Sequence, residues 1–185
     1  NLEVVEGDIL KHGTWNIKKV SRFKFQDSSF KIVANLPYYI TSRFLRLFLE
    51  EISHKPQSMT LMVQKEVAER ICAAPPRMNL LGLSVQAFGT PTMLFRVAPG
   101  SFSPPPEVDS AVITIENISD AFFKKHAISP KEFFKFPKKA FSQKRKMLRA
   151  SLNVQHLAFD TKRPQELTLG DWSTLMLLIY CITTG

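Results

Sequence analysis

The stretch from Phe30 to Ser42, FKIVANLPYYITS, decides the fold. Ile32, Val33 and Ala34 form an apolar run without polar alternation, as expected of a strand buried on both faces of a parallel sheet. The run passes directly into Asn35-Leu36-Pro37-Tyr38. Pro37 ends strand pairing, because it has no N–H and its φ is fixed. The residue before it is pushed to extended geometry. The Asn35 side chain and the Pro37 carbonyl can then point off the carboxyl end of the strand, where open α/β sheets bind ligands. Thr41 or Ser42 can cap the helix that follows.

These four residues suit the holding of an exocyclic amino group. The N6 amine of adenine is a poor nucleophile, because its lone pair is delocalised into the ring. Two acceptors, the Asn35 side-chain oxygen and the Pro37 carbonyl, can take its two N–H protons. That aims the lone pair at an electrophile and stabilises the positive charge that develops. Tyr38 can stack on the base, an interaction worth roughly 1–3 kcal/mol in nucleic-acid sites. The alternative is a strand followed by an Asn-x-Pro turn, and a bare tetrapeptide would favour it. Here the context is a buried strand, the motif, then a helix.

Outward from this stretch, strand and helix patterns alternate. Leu2 to Glu6 reads as a strand followed by Gly7-Asp8, and Lys11 to Ser29 is polar and irregular. Phe44, Leu45, Phe48, Leu49 and Ile52 recur at helical spacing. Met59 to Val63 is another buried strand, Lys65 to Ala73 a helix ended by Pro75-Pro76, and Leu80 to Phe88 a further helix. Thr92 to Val97 and Ala111 to Glu116 are strands joined by a proline-rich loop without a helix, so they can lie antiparallel at the sheet edge. After Asn117 the composition shifts. Ser129-Pro130-Lys131-Glu132 is a capping box with proline at the first helical position. Pro137 should kink or restart that helix. Gln143 to Leu152 reads as a basic helix with Met147, Leu148 and Leu152 facing inward. Thr168 and Asp171 can cap a last, mostly buried helix.

The chain has 185 residues, 44% hydrophobic and 22% charged, and a net charge of +9. That is an ordinary globular composition with room for one domain and a small appendage. The charge is uneven: residues 1–117 carry a balance of +2 and residues 118–185 one of +7. A basic C-terminal third suits a polyanionic partner, with a solvated basic face as the alternative. Lys144, Arg145, Lys146 and Arg149 are the best phosphate-binding candidates. Two cysteines, Cys72 and Cys181, make neither a disulfide framework nor a metal site. The longest apolar run, Leu175 to Ile182, is too short to span a membrane. No signal peptide opens the sequence, so a cytoplasmic protein without membrane or metal is expected.

Three stretches together carry a family resemblance. Asn35-Leu-Pro-Tyr-Tyr-Ile-Thr41 resembles the adenine-N6 motif of the KsgA-type (RsmA-like) ribosomal RNA adenine dimethyltransferases. Pro99-Gly-Ser-Phe-Ser-Pro-Pro-Pro-Glu-Val-Asp-Ser-Ala-Val112 resembles the loop between that family's last two strands. Ala140-Phe-Ser-Gln-Lys-Arg-Lys-Met-Leu-Arg149 resembles the opening of its C-terminal helical domain. The resemblance implies an α/β class I (Rossmann-like) methyltransferase sheet over residues 1–117 and a small all-helical RNA-binding domain over 118–185. It implies S-adenosylmethionine as methyl donor and two neighbouring adenines of small-subunit rRNA, in the 30S-type subunit, as acceptors. Asn35, Leu36, Pro37 and Tyr38 would form the catalytic motif, with Phe102 closing a sandwich on the base. The alternative for Phe102 is packing on the core. Asp8, Ile9 and Asn35 would bind the cofactor, Asp8 through the cofactor's adenine amino group. Without the resemblance, Asp8 reads as a turn residue after Gly7.

The seven glycines, at 7, 13, 82, 89, 100, 170 and 185, include no pair with GxG spacing. A Rossmann-type cofactor site uses a glycine-rich first turn and an acidic residue on the next strand. In the resembled family both precede the segment matching Leu2 to Asp8. The expectation is a sheet lacking its first strands, an incomplete cofactor site and an inactive isolated chain. The strand at Lys31 to Asn35 would become an edge, and the first ten or so residues would either re-pair against it or mediate an intermolecular contact there. Two other readings are a resistance methyltransferase acting on large-subunit rRNA and a non-catalytic RNA-binding or ribosome-assembly factor. Leu36 and the PGSFSPPPEVDS loop favour the small-subunit enzyme over the first. The missing glycine turn favours the second.

Overall fold

The computed structural model describes residues 6–10, 30–153 and 158–184. Among these, four strands form one sheet. They are β1 (Lys31–Asn35), β2 (Ser58–Gln64), β3 (Thr90–Val97) and β4 (Ser110–Glu116), in the order β1-β2-β4-β3. β1 and β2 are parallel, with Asn35 opposite Met62. β4 runs antiparallel to both β2 and β3, so the helix-free connection lies at the sheet edge as the sequence suggests. The expected strand at Leu2 to Glu6 and the polar stretch after Lys11 fall mainly outside the described residues.

Alternation sets which face is covered. On β2 the side chains of Met59, Leu61 and Val63 are buried, while Ser58, Thr60, Met62 and Gln64 are half-buried. β4 buries Ala111, Ile113 and Ile115 in the same way. β1 corrects one expectation. Among the described residues it is an edge strand, and its Val33 side chain is 83% exposed, not buried on both faces. Only Ile32 and Ala34 pack on the core. No strand formed by the described residues 6–10 pairs with β1.

The helices of the first part are α1 (Thr41–Arg46), which continues into a π turn at Leu47–Glu51, α2 (Lys65–Ile71) and α3 (Leu80–Gln86). α1 is not capped by Thr41 or Ser42. A 3-10 turn at Tyr38–Ile40 runs straight into it, so its first N–H groups already have partners, and the buried Thr41 hydroxyl makes no hydrogen bond. α3 seats against the end of α2: Asn79 accepts from the Gly82 N–H at 3.0 Å and donates to the Arg70 carbonyl at 2.8 Å. Gly89 then allows the close approach that turns the chain into β3. A Cβ there would stand 2.8 Å from the Glu116 carbonyl oxygen.

The C-terminal part holds α4 (Ala121–Lys125), α5 (Pro130–Phe141), α6 (Leu148–Leu152) and α7 (Leu169–Thr184). α5 begins with the expected capping box. Ser129 Oγ accepts from the Glu132 N–H at 3.2 Å, and Glu132 Oε2 accepts from the Ser129 N–H at 3.2 Å. Hydrogen bonds from Ser129, the side-chain one first, hold the Glu132 carboxyl below its usual range. α5 runs through Pro137 without restarting, because burial of Phe133, Phe134, Pro137 and Ala140 outweighs the missing backbone bond. α7 is capped as the sequence suggests, with Asp171 N–H donating to Thr168 Oγ1 at 3.1 Å. Phe88 from the end of α3 meets Phe123 of α4 at 4.8 Å between centroids. One core therefore runs from Leu36 and Phe44 through these rings to Trp172 and Leu175. No helix among the described residues is long and apolar enough to cross a membrane.

Candidate active site

The topology brings several chain segments to one end of the sheet. Asn35 ends β1 and Gln64 ends β2. Ser110 begins β4 opposite Gln64 on one side and Val97, the end of β3, on the other. The motif after β1, the start of α2 and both ends of the proline-rich loop consequently meet there.

Within the motif each residue has a distinct setting. Leu36 is buried and its N–H donates to the Met62 carbonyl at 3.4 Å, which anchors the backbone just beyond β1. Asn35 and Pro37 are exposed. The Pro37 carbonyl already accepts the Ile40 N–H at 3.1 Å, the bond that closes the 3-10 turn. A carbonyl has two lone pairs, so one acceptor site remains for a ligand. Tyr38 is half-buried, and its neighbour Tyr39 is 89% exposed.

The proline-rich loop opens with a 3-10 turn at Pro99–Ser101, and the Phe102 N–H donates to the Pro99 carbonyl at 3.1 Å. Phe102 is half-buried. The far end of the loop is fastened twice. Lys65 donates its backbone N–H to the Asp109 carbonyl at 2.9 Å, and its Nζ lies 3.7 Å from Asp109 Oδ2. The Tyr38 hydroxyl and the fully buried Ser110 hydroxyl are 2.6 Å apart. That bond joins positions 72 residues apart in sequence. Sequence reasoning missed Lys65 and Ser110. The only signal was their place, one residue beyond a strand end and one residue into a strand.

Of the cofactor candidates, Asp8 and Ile9 are exposed. Asp8 Oδ1 accepts the Leu10 N–H at 2.9 Å, so the turn role is realised. A carboxylate accepts several hydrogen bonds, so Asp8 can still receive an amino group. The chemistry of Asp8 and Ile9, an exposed carboxylate beside an exposed apolar side chain, is compatible with the adenine end of S-adenosylmethionine. For the methionine and ribose ends the chain has no glycine-rich turn. Among the described residues no cluster of His, Cys, Asp or Glu could hold a metal.

The basic candidates lie elsewhere. Lys144, Arg145 and Lys146 are exposed in a turn between α5 and α6, and only Arg149 is on a helix. The expected basic helix is thus corrected. α5 stops at Phe141, where Ser142 Oγ donates back to the Lys139 carbonyl at 2.7 Å, a bond of the kind that competes with helix continuation. Met147, expected to face inward, is exposed, while Leu148 and Leu152 are buried.

Comparison with known proteins places the chain among relatives. Residues 1–168 match the family described as ribosomal RNA adenine dimethylase. The chain is 43% identical over 169 residues to the ribosomal RNA small subunit methyltransferase A of Dehalococcoides mccartyi (strain CBDB1), covering 91% of this chain and 54% of that protein. It is 35% identical over 163 residues to the protein of the same name from Alkaliphilus oremlandii, covering 86% and 54%. The chain thus spans about half the length of the curated relatives it matches. A dimethyladenosine transferase from Plasmodium falciparum superimposes with a TM-score of 0.77 at 26% identity, over 98% of this chain and 73% of that one. A 23S rRNA methyltransferase, ErmE, shares the fold with a TM-score of 0.62 at 20% identity, over 95% and 70%.

Proposed function

The chain belongs to the ribosomal RNA adenine dimethylase family, and from that premise we propose that it carries the adenine-holding face of a small-subunit rRNA adenine-N6 dimethyltransferase. The observation that carries this reading is the motif's setting. Asn35 and Pro37 are exposed at the carboxyl end of β1, while Leu36 is buried and Tyr38 is tied to Ser110.

In this reading the Asn35 side-chain oxygen and the second lone pair of the Pro37 carbonyl accept the two N–H groups of the target adenine. Both bonds strengthen as the nitrogen becomes positive, so they favour the transition state over the ground state. Tyr38 and Phe102 sandwich the base. Leu36 keeps the motif's backbone on the sheet. S-adenosylmethionine supplies an electrophilic methyl group when bound, with Asp8 and Ile9 at its adenine and Asn35 close by. The methylated amine is strongly acidic and loses its proton without a dedicated base. Lys144, Arg145, Lys146 and Arg149 of residues 118–185 grip rRNA phosphates. The subunit is assembled in the cytoplasm, where this protein would work.

The test is methyl transfer from labelled S-adenosylmethionine to unmethylated 30S subunits, using the full coding sequence. Label in two neighbouring adenines of small-subunit rRNA is expected. Label confined to 23S rRNA would favour a resistance methyltransferase. A second reading is a non-catalytic RNA-binding assembly factor, which draws on the exposed Lys144, Arg145 and Lys146. It predicts tight 30S binding without transfer.

A further inference from the structure

We propose that Ser110 is a positioning residue, which fixes the ring of Tyr38 through its hydroxyl so that Tyr38 meets the target base with its face. The inference rests on the base-clamp reading above and adds to it a residue that nothing in the motif announces. Ser110 has no freedom of its own. It is fully buried, and its backbone is held between two strands, opposite Gln64 of β2 and Val97 of β3. The preceding residue, Asp109, is held by both the backbone and the ammonium of Lys65. A hydroxyl on such a backbone is a fixed post.

Tyr38 is the opposite. It opens a three-residue 3-10 turn in which no residue is buried. Two side-chain torsions therefore decide where its ring points, and the backbone does little to choose between rotamers. A hydrogen bond at the far end of the ring, 2.6 Å to Ser110 Oγ, removes both freedoms at once. The ring plane is then set before a base arrives, so the base does not bear the entropic cost of ordering it. The same bond engages the phenol with protein, which leaves the ring face as the part that recognises the base. Tyr39, adjacent and 89% exposed, has no such tether among the described residues and provides the internal control.

The experiment is a double-mutant cycle in the full coding sequence, with methyl transfer to 30S subunits as the readout. Ser110→Ala and Tyr38→Phe each remove one end of the bond. Each is expected to lower kcat roughly three- to tenfold, the range for one neutral hydrogen bond. KM for the subunit should stay put, because the groups that grip phosphate are untouched. The double variant should be no slower than either single one, because the same bond is removed. Tyr39→Phe should behave as wild type. If Ser110→Ala does not fold, Tyr38→Phe interrogates the same bond from the other side. Singles with unchanged kcat, even with lowered melting temperature, would overturn the inference, as would effects that multiply in the double variant. Tyr38→Ala separates this from the underlying reading. If it retains full kcat, the base clamp itself is wrong. If it collapses while Ser110→Ala and Tyr38→Phe do not, the clamp stands and Ser110 is only a packing residue.

Discussion

The motif at Asn35–Tyr38, proposed to hold adenine, and the basic turn at residues 142–147 are built on opposite principles. In the motif, exposed groups alternate with anchored ones: Asn35 and Pro37 reach solvent, while Leu36 is buried and Tyr38 is tied to Ser110. In the basic turn, Lys144, Arg145, Lys146 and Met147 are all exposed, and the shape is set by backbone bonds such as Lys146 N–H to the Gln143 carbonyl at 2.8 Å. The difference matches the tasks proposed for them. Aligning a lone pair with a methyl donor tolerates little misplacement. Neutralising phosphates depends on charge and accessibility, and long flexible side chains serve it well.

The strongest challenge to this contrast is Asn35→Ala. Methyl transfer should fall by about 10²–10³ or more, as for loss of one preorganised transition-state partner. Binding to 30S subunits should hardly change. Turnover near normal would break the contrast at its root. Replacing Lys144, Arg145 and Lys146 together by Ala should do the reverse. RNA affinity should drop for every sequence. The slope of log affinity against log salt should flatten by about 0.7–0.9 for each phosphate no longer neutralised. An unchanged slope would make the turn a merely solvated face.

A smaller effect sharpens the comparison from outside both sites. Ser129→Ala removes the cap of α5, the helix that leads into the basic turn, and should cost about 1 kcal/mol in chemical denaturation. Because the Glu132 carboxyl lies below its usual range in the folded chain, its share of this stability is present above the unfolded carboxylate pKa. It is lost as pH falls through the depressed folded value. In Ser129→Ala that acid-side loss should shrink. The smallest effect is expected at Val33→Lys. Val33 lies two residues from Asn35, yet its side chain is open to solvent. Stability should change by less than about 0.5 kcal/mol, and any self-association seen by sedimentation should weaken, because charge blunts an open strand edge.

What could be read from the sequence follows the range of the interactions. The capping boxes at Ser129 and Thr168 and the strand at Met59 to Val63 were legible, because their signals lie within a few residues. The strand at Ile32 to Ala34 was legible as a strand, but its exposure was not. An unbroken apolar triplet does not say which of its faces another element will cover. At Pro137 local chemistry argued for a break, and the packing of Phe133 and Phe134 overrode it. At residues 142–147 good helix formers argued for a helix, and the Ser142 back-bond ended it. The Asn35-to-Tyr38 motif was found from its own residues. The Ser110 tether was beyond reach, since nothing local links two side chains 72 positions apart.

Lys55 has a consequence for how the molecule comes apart. Its side chain is 9% exposed. Its Nζ donates to the Leu49 carbonyl at 2.6 Å, lies 3.4 Å from Asp120 Oδ1 just before α4, and sits 5.0 Å from the centre of the Phe88 ring. Melting the C-terminal helices alone would take away the carboxylate and expose the Phe88–Phe123 face while the ammonium stayed in place. Partial unfolding thus forfeits interactions on both sides of residue 117, and no cheap seam exists there. Heating should produce one cooperative transition, with calorimetric and van't Hoff enthalpies that agree.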